Sequence, residues 1–140
     1  MAGELTCDTS VVVAALSGWH EHHVVARAAL LQADWLGAHV VAETVSVLSR
    51  LPHGHAIPLQ EAVSAMRRVV ERTGRSPQQL RGDRYLLVLG ALGASGLGGG
   101  AVYDAVIGAT AREHEATLVT LDRRAQRAYE AVGATWRSPV

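Results

Sequence analysis

The sequence contains no lysine and no phenylalanine, has one cysteine, and carries only three tryptophans and three tyrosines in 140 residues. Thirteen basic side chains, all arginine, balance thirteen acidic ones, so the formal charge at neutral pH is zero. Each shortage excludes something. A lone cysteine cannot close an internal disulfide, and Cys7 sits beside an apolar run. That points to a reduced, cytoplasmic setting with a buried thiol and not to a nucleophile. A neutral chain does not hold nucleic acid by bulk electrostatics, although local basic patches remain open to it. No apolar stretch approaches about 18 residues, and "MAGELTCDTSVVVAAL" has no basic region ahead of its apolar residues, so neither a membrane span nor a secretory signal is expected. No aromatic cluster for stacking bases stands out. Arginine in place of lysine suits bidentate grip on phosphate or carboxylate, and a GC-rich genome would give the same bias.

What is present reads as one domain over 1–140 with a single core. Leu5 to Asp8 opens as a strand, and "TSVVVAALSG" turns helical towards Gly18. Residues 20–33 place Val24, Val25, Ala28, Leu30 and Leu31 on one face at helical spacing. "AHVVAETVSVLSRL" is expected to begin as a strand over Ala38 to Val41 and continue as a helix that Pro52 stops. Leu59 to Thr73 reads as a helix closed by Gly74, with Ala62, Val63, Met66, Val69 and Val70 inward. Asp83 is a plausible N-cap for a helix through "RYLLVLGALGASG" with Leu86 and Leu89 on its repeating face. Ala101 to His114 is a further helix, "ATLVTLD" a strand, "RRAQRAYEAVG" a short helix and "ATWR" an edge strand. This alternation points to an α/β domain with a largely parallel sheet covered on both faces.

Four acids interrupt apolar elements: Asp8 between "LTC" and "TSVVV", Glu43 in "HVVAETVSVL", Asp104 in "AVYDAVIGATA", and Asp122 ending "TLVTLD". An apolar element rarely holds an acid without a partner, because burial strips its hydration. Strands of a parallel sheet share a C-terminal rim, where acids from strand ends and helix starts can converge. Four negative charges in one cleft call for divalent cations with oxygen ligands, and two Mg²⁺ or Mn²⁺ ions would balance them. Paired metals about 3.5–4 Å apart are a common device for in-line attack on a phosphodiester. Each acid also has a plainer role open to it: Asp8, Asp104 and Asp122 as helix caps, and Glu43 as a surface acid paired with an arginine.

Through "CDTSVVVAAL", "VVAETVSVLSRL" and "GGGAVYDAVIGATAREHEATLVTLDRRA", the chain resembles a PIN-domain ribonuclease, in particular the toxin of a VapBC-type toxin–antitoxin pair, over essentially its whole length. The resemblance implies a three-layer α/β/α sandwich with a short, mainly parallel sheet. It also implies Mg²⁺-dependent endonucleolytic cleavage of RNA by a metal-activated water, leaving 5′-phosphate and 3′-hydroxyl ends. Carried over residue by residue, Asp8, Glu43, Asp104 and Asp122 match the family's catalytic, metal-binding quartet. Thr9, Ser10 and Thr120 fall at hydroxyl positions that could orient a carboxylate or a metal-bound water, or serve as local caps. A VapB-type antitoxin that occludes the cleft and a homodimer are further implications. The stretch from Pro52 to Gly82 shows no family motif.

Residues 67–84 hold six arginines against Glu71 and Asp83, and Arg123, Arg124 and Arg127 adjoin Asp122. Arg123 and Arg124 are candidate contacts to the RNA backbone, whereas "MRRVVERTGR" is equally what a solvated helix face looks like. His20, His22 and His23 do not share a helical face, which argues against a zinc site there, as does the hard oxygen donor set. Two other readings compete: a PIN-like binding module whose metal site is idle, and dinucleotide binding through Gly96–Ala101, which fits G-x-G-x-x-A by letters. The second needs a strand running directly into Gly96, and "YLLVLGALGAS" reads better as a helix.

Overall fold

A computed structural model describes residues 3–140. Three short strands, β1 (Glu4–Cys7), β2 (Ala116–Val119) and β3 (Thr135–Arg137), form one parallel sheet in the order β1-β2-β3. Among the described residues there are seven α-helices: α1 (Thr9–Ala15), α2 (His23–Gln32), α3 (Ala38–Leu48), α4 (Leu59–Thr73), α5 (Tyr85–Ala94), α6 (Ala101–Glu113) and α7 (Ala125–Ala131). The architecture is the expected α/β/α sandwich.

Register fixes where the strands end. Cys7 pairs with Val119, and Val119 with Arg137, so all three strands finish at one level. The ladder runs one residue further on each side of β2: the Asp8 N–H donates to the Val119 carbonyl and the Thr120 N–H to the Arg137 carbonyl, each across 3.0 Å. Asp8 and Thr120 therefore leave the sheet side by side, two residues ahead of Asp122. The sheet is buried because apolar helices cover it: Val11, Val12, Leu36, Val40, Met66 and Ile107 join Cys7, Leu118 and Val119 in the main core. A second cluster, with Leu80, Val88, Leu92, Ala105, Ala109 and Val132, ties α5 to α6 and α7.

Several local expectations give way to tertiary packing. Ala38–Val41 is helical from its first residue, and the buried side chains Val40, Thr44 and Leu48 recur every four residues on one face, which a strand cannot supply. Helix α2 begins at His23 and turns Ala26 and Ala29 inward, leaving Val24, Val25, Ala28 and Leu31 exposed. Alanines permit close approach to α1; the larger residues would hold the helices apart. Asp83 does not cap α5, because its carboxylate is engaged by Arg81 and the chain enters the helix through a 3-10 turn, Gly82–Arg84. Within α5 it is Val88 and Leu92 that point inward, while Leu86 is 84% exposed. By contrast α4 runs over the expected residues, and Gly74 closes it at φ +70°, a left-handed conformation that glycine adopts without steric cost.

The glycine run is a connector between helices. Helix α5 ends at Ala94, Gly96 and Gly99 take φ +77° and +60°, and Gly100 starts α6. No strand enters Gly96, so the dinucleotide reading loses its structural premise.

Candidate active site

Asp8 stands one residue beyond β1, buried to 2% exposure at the N-terminus of α1. Both carboxylate oxygens are engaged. Ser10 Oγ donates to Oδ1 at 2.5 Å and the Val11 N–H to the same oxygen at 3.3 Å; the Tyr129 hydroxyl donates to Oδ2 at 2.7 Å. Burial raises the Asp8 pKa, and these donors pull against it by favouring the anion. Asp8 is thus a helix cap and a member of the acidic rim at once.

Asp122 follows β2 by three residues. Its Oδ1 accepts the N–H groups of Arg124 (2.9 Å) and Ala125 (3.4 Å) at the start of α7, and its own N–H donates to Thr120 Oγ1. Ser10 ties the two strand ends together, since its hydroxyl also accepts the Leu121 N–H at 2.9 Å. Ser10 thus bonds the Asp8 carboxylate, and Thr120 accepts the backbone N–H of Asp122. The Thr9 hydroxyl is buried with no hydrogen-bond partner among the described residues.

Asp104 lies in the first turn of α6, where the helix dipole favours a negative charge, but Gly100 and not Asp104 occupies the cap position. Its pKa is pushed up to about 6, first by burial and then by the charges of Asp122, Glu43 and Asp8. Glu43 projects from α3, with His39 Nε2 3.6 Å from its Oε2, so its partner is a histidine one turn back and not an arginine. Glu43, Asp104 and Asp122 line one open cleft of about 670 Å³ together with Thr9, Ser10, His20, Glu21, Arg123 and Arg124; Asp8 lies beneath it.

The donor set suits a hard divalent cation. It is carboxylate oxygen throughout, and no basic side chain among the described residues forms an ion pair with Asp8, Asp104 or Asp122. The neighbouring acids add to burial in raising the Asp104 pKa, and no basic side chain among the described residues offsets them. The acids ring the cleft without closing on a point: among the described residues no three Asp, Glu, His or Cys side chains form a ready metal cage.

Tyr129 escaped the sequence reading. A buried tyrosine hydroxyl needs a polar partner, and the only sequence signal was a tyrosine among the alanines of α7. Gly108 makes room for it: a Cβ there would meet Tyr129 Cδ1 at 2.9 Å. Burial, with Asp8 beside it, raises the Tyr129 pKa, so the hydroxyl remains a donor. Burial also pushes the Cys7 thiol up to about 12, which makes it inert as a nucleophile. The histidines of the early loop make ring contacts: His55 stacks on Trp19 at 4.1 Å, and His20 packs against Trp19 at 5.7 Å.

Fold and site define a small α/β protein with an acidic cleft at the C-terminal edge of a parallel sheet, and the PIN domain family model matches residues 5–131. The chain belongs to the PIN-domain family, as a member of the VapC-type ribonucleases. It is 39% identical to Ribonuclease VapC40 of Mycobacterium tuberculosis over 123 residues, 88% of this chain and 90% of that protein. To Ribonuclease VapC27 of the same organism it is 38% identical over 135 residues, 95% of each chain. A solved chain from the structure of FitAB bound to an IR36 DNA fragment shares the fold, with a TM-score of 0.68 at 21% identity, covering 96% of this chain and 94% of that one.

Proposed function

We propose that this protein is a divalent-metal-dependent endoribonuclease that acts in the cytoplasm as the toxin of a toxin–antitoxin pair. The observation that carries this reading is Asp104, a carboxylate facing an open cleft whose proton affinity is raised first by burial and then by the charges of Asp122, Glu43 and Asp8, which converge from the ends of β1 and β2 and from α3. Such a site is costly without a counter-charge. Asp104, Glu43 and Asp122 would hold the ion from the cleft wall and Asp8 from its floor, with Mg²⁺ as the physiological choice and Mn²⁺ as a substitute. Bound there, the cation supplies Lewis acidity and neutralises charge on a phosphodiester.

The chain's own side chains do the remaining work. Ser10, Val11 and Tyr129 hold Asp8 rigid, and the start of α7 holds Asp122, so two acids are fixed before any ligand arrives. Arg123 and Arg124 stand at the margin, free to grip phosphates to either side of the one attacked. The products expected are 5′-phosphate and 3′-hydroxyl ends. A VapB-type antitoxin would silence the cleft by covering it, and a second copy of the chain would cover the apolar surface of α5, where Leu86 and Leu87 are 84% and 65% exposed.

The open spacing of the acids favours the competing reading, a PIN-like module with an idle metal site. One experiment separates the two. The purified protein is incubated with single-stranded RNA in Mg²⁺ and in EDTA, alongside Asp104→Asn, and both versions are expressed in a bacterial host. Cleavage that requires Mg²⁺ and toxicity that disappears with the substitution support the nuclease; full activity of Asp104→Asn overturns the assignment.

A further inference from the structure

Two exposed aromatic rings flank the acidic cleft, each backed by a histidine. Trp19, 51% exposed, stacks on His55 with ring centroids 4.1 Å apart and planes 19° from parallel. Tyr103, 55% exposed and next in sequence to Asp104, stacks on His39 with centroids 5.3 Å apart and planes 7° from parallel. Their places relative to Glu43 follow from helix geometry. His39 is one turn before Glu43 on α3 and Val47 one turn after it, so with a rise of about 1.5 Å per residue each lies roughly 6 Å along the helix from the acid. The Tyr103 ring stands at the His39 end. Trp19 stands towards the other, because it stacks on His55, two residues before Ile57, whose N–H bonds the Leu48 carbonyl at the C-terminal end of α3.

Exposing half of a large ring to water forgoes the burial that usually stabilises it. Here both rings are held by a stacked histidine and keep open surface, and each is next in sequence to a residue, His20 or Asp104, that lines a cleft bearing acids and two arginines. Aromatic faces presented next to phosphate-binding groups are how single-stranded nucleic acid is held without sequence preference.

We propose that Trp19 and Tyr103 are stacking platforms that each receive a nucleobase of single-stranded RNA, on opposite sides of the phosphodiester presented to Glu43, Asp104 and Asp122. The proposal rests on the ribonuclease reading for its substrate. The two rings set the strand's register over the acids, and they select unpaired RNA, since a base inside a duplex has no free face to offer.

The test uses the full chain carrying Asp104→Asn and fluorescein-labelled 12-nucleotide RNAs, read by fluorescence anisotropy in Mg²⁺. The probes are oligouridylate, oligoadenylate and an abasic ribose-phosphate strand of equal length. Base-bearing strands are expected to bind at least tenfold more tightly than the abasic one. Trp19→Ala and Tyr103→Ala each weaken them about five- to hundredfold without changing abasic binding, whereas Trp19→Phe and Tyr103→Phe, which keep a ring, retain most of the affinity. Equal binding of base-bearing and abasic strands, failure to bind either, or alanine variants that bind like the parent would each overturn the proposal. Cleavage by the otherwise unaltered protein is scored separately. Ring-dependent binding with no cleavage under any divalent ion counts against the ribonuclease reading alone, and cleavage with unchanged affinity in the alanine variants counts against the platforms alone.

Discussion

The Tyr129 hydroxyl in α7 donates to Oδ2 of Asp8, at the end of β1, across 2.7 Å, joining the two ends of the chain inside the protein. With Ser10 and Val11 on Oδ1, it completes a set of donors that favour the anion and so oppose the rise in pKa that burial imposes on Asp8.

Tyr129→Phe removes that donor and little else. The variant should lose about 1–3 kcal/mol of stability in urea denaturation at pH 7.5 and roughly tenfold in cleavage, because Asp8 becomes harder to keep charged and less firmly placed. The Asp8 pKa is already raised in the folded state, so its ionisation opposes folding as pH rises, and without Tyr129 it opposes folding more. The stability difference between variant and parent should therefore shrink at acid pH. A difference that is independent of pH would show that Tyr129 acts only by packing.

Asp104→Asn should abolish activity yet stabilise the metal-free protein. The folded-state pKa of about 6 lies above the ordinary carboxylate value of 3.8. The folded protein thus binds more protons than the unfolded chain between those values, and stability falls as pH climbs through them. Asparagine escapes that loss. The gain should be about 1 kcal/mol at pH 7.5, allowing for solvent screening on the exposed side of the carboxylate, and should vanish below about pH 4. Thermal melts in EDTA across this range read it directly. In the parent, Mg²⁺ should raise the melting temperature at pH 7.5 and do so less below pH 6, where the proton competes for the same oxygens.

Gly108→Ala places a methyl group 2.9 Å from Tyr129 Cδ1 and 3.1 Å from Val132 Cγ2. Overpacking of this kind costs about 1–3 kcal/mol, and the ring that must move is the one that holds Asp8. Cleavage should fall well beyond what the stability loss explains, measured at a temperature where the variant is fully folded. Unchanged activity would show that Tyr129 can shift without disturbing the site.

Replacing both Arg123 and Arg124 by alanine should weaken RNA binding at low salt and flatten its dependence on salt. If each arginine contacts one phosphate, the slope of log affinity against log salt falls by about 0.7 per contact for a single strand. A titration between 50 mM and 200 mM salt would show it, and an unaltered slope would move the phosphate grip elsewhere on the surface.

Much of the site could be read in the chain because each acid stands at a break in an apolar run. Asp8 directly after "LTC" and Asp122 at the end of "TLVTLD" follow two strands that end at one level, and the parallel sheet brings them near each other. The cap role of Asp8 also holds, whereas Asp122 bonds the backbone N–H groups of Arg124 and Ala125 from two residues before the N-cap position, which Arg124 occupies. What failed were faces and boundaries. "HVVAE" has the β-branched composition of a strand, yet one side of it is buried at helical spacing. In α2 the bulkiest residues set the expected face, whereas the small ones fit against α1. Close packing selects for shape as much as for apolarity, and a periodic pattern of hydrophobic residues does not distinguish the two.

Apart from the strand expected ahead of Glu43, the sequence by itself determined the order of strands and helices, the glycine connector and the acids that interrupt apolar runs, since these follow from local periodicity, capping and the cost of burying a charge. Tertiary structure alone decided that Tyr129 serves Asp8, that Gly108 gives it room, that His39 is the partner of Glu43, and that Trp19 and Tyr103 each stack on a histidine. These pairings, apart from the one-turn step from His39 to Glu43, join residues distant along the chain. Hydrogen bonds and ring contacts act over only a few ångströms, so no pattern of neighbours in sequence encodes them; they exist only once the sheet register and the helix packing have brought the partners within reach.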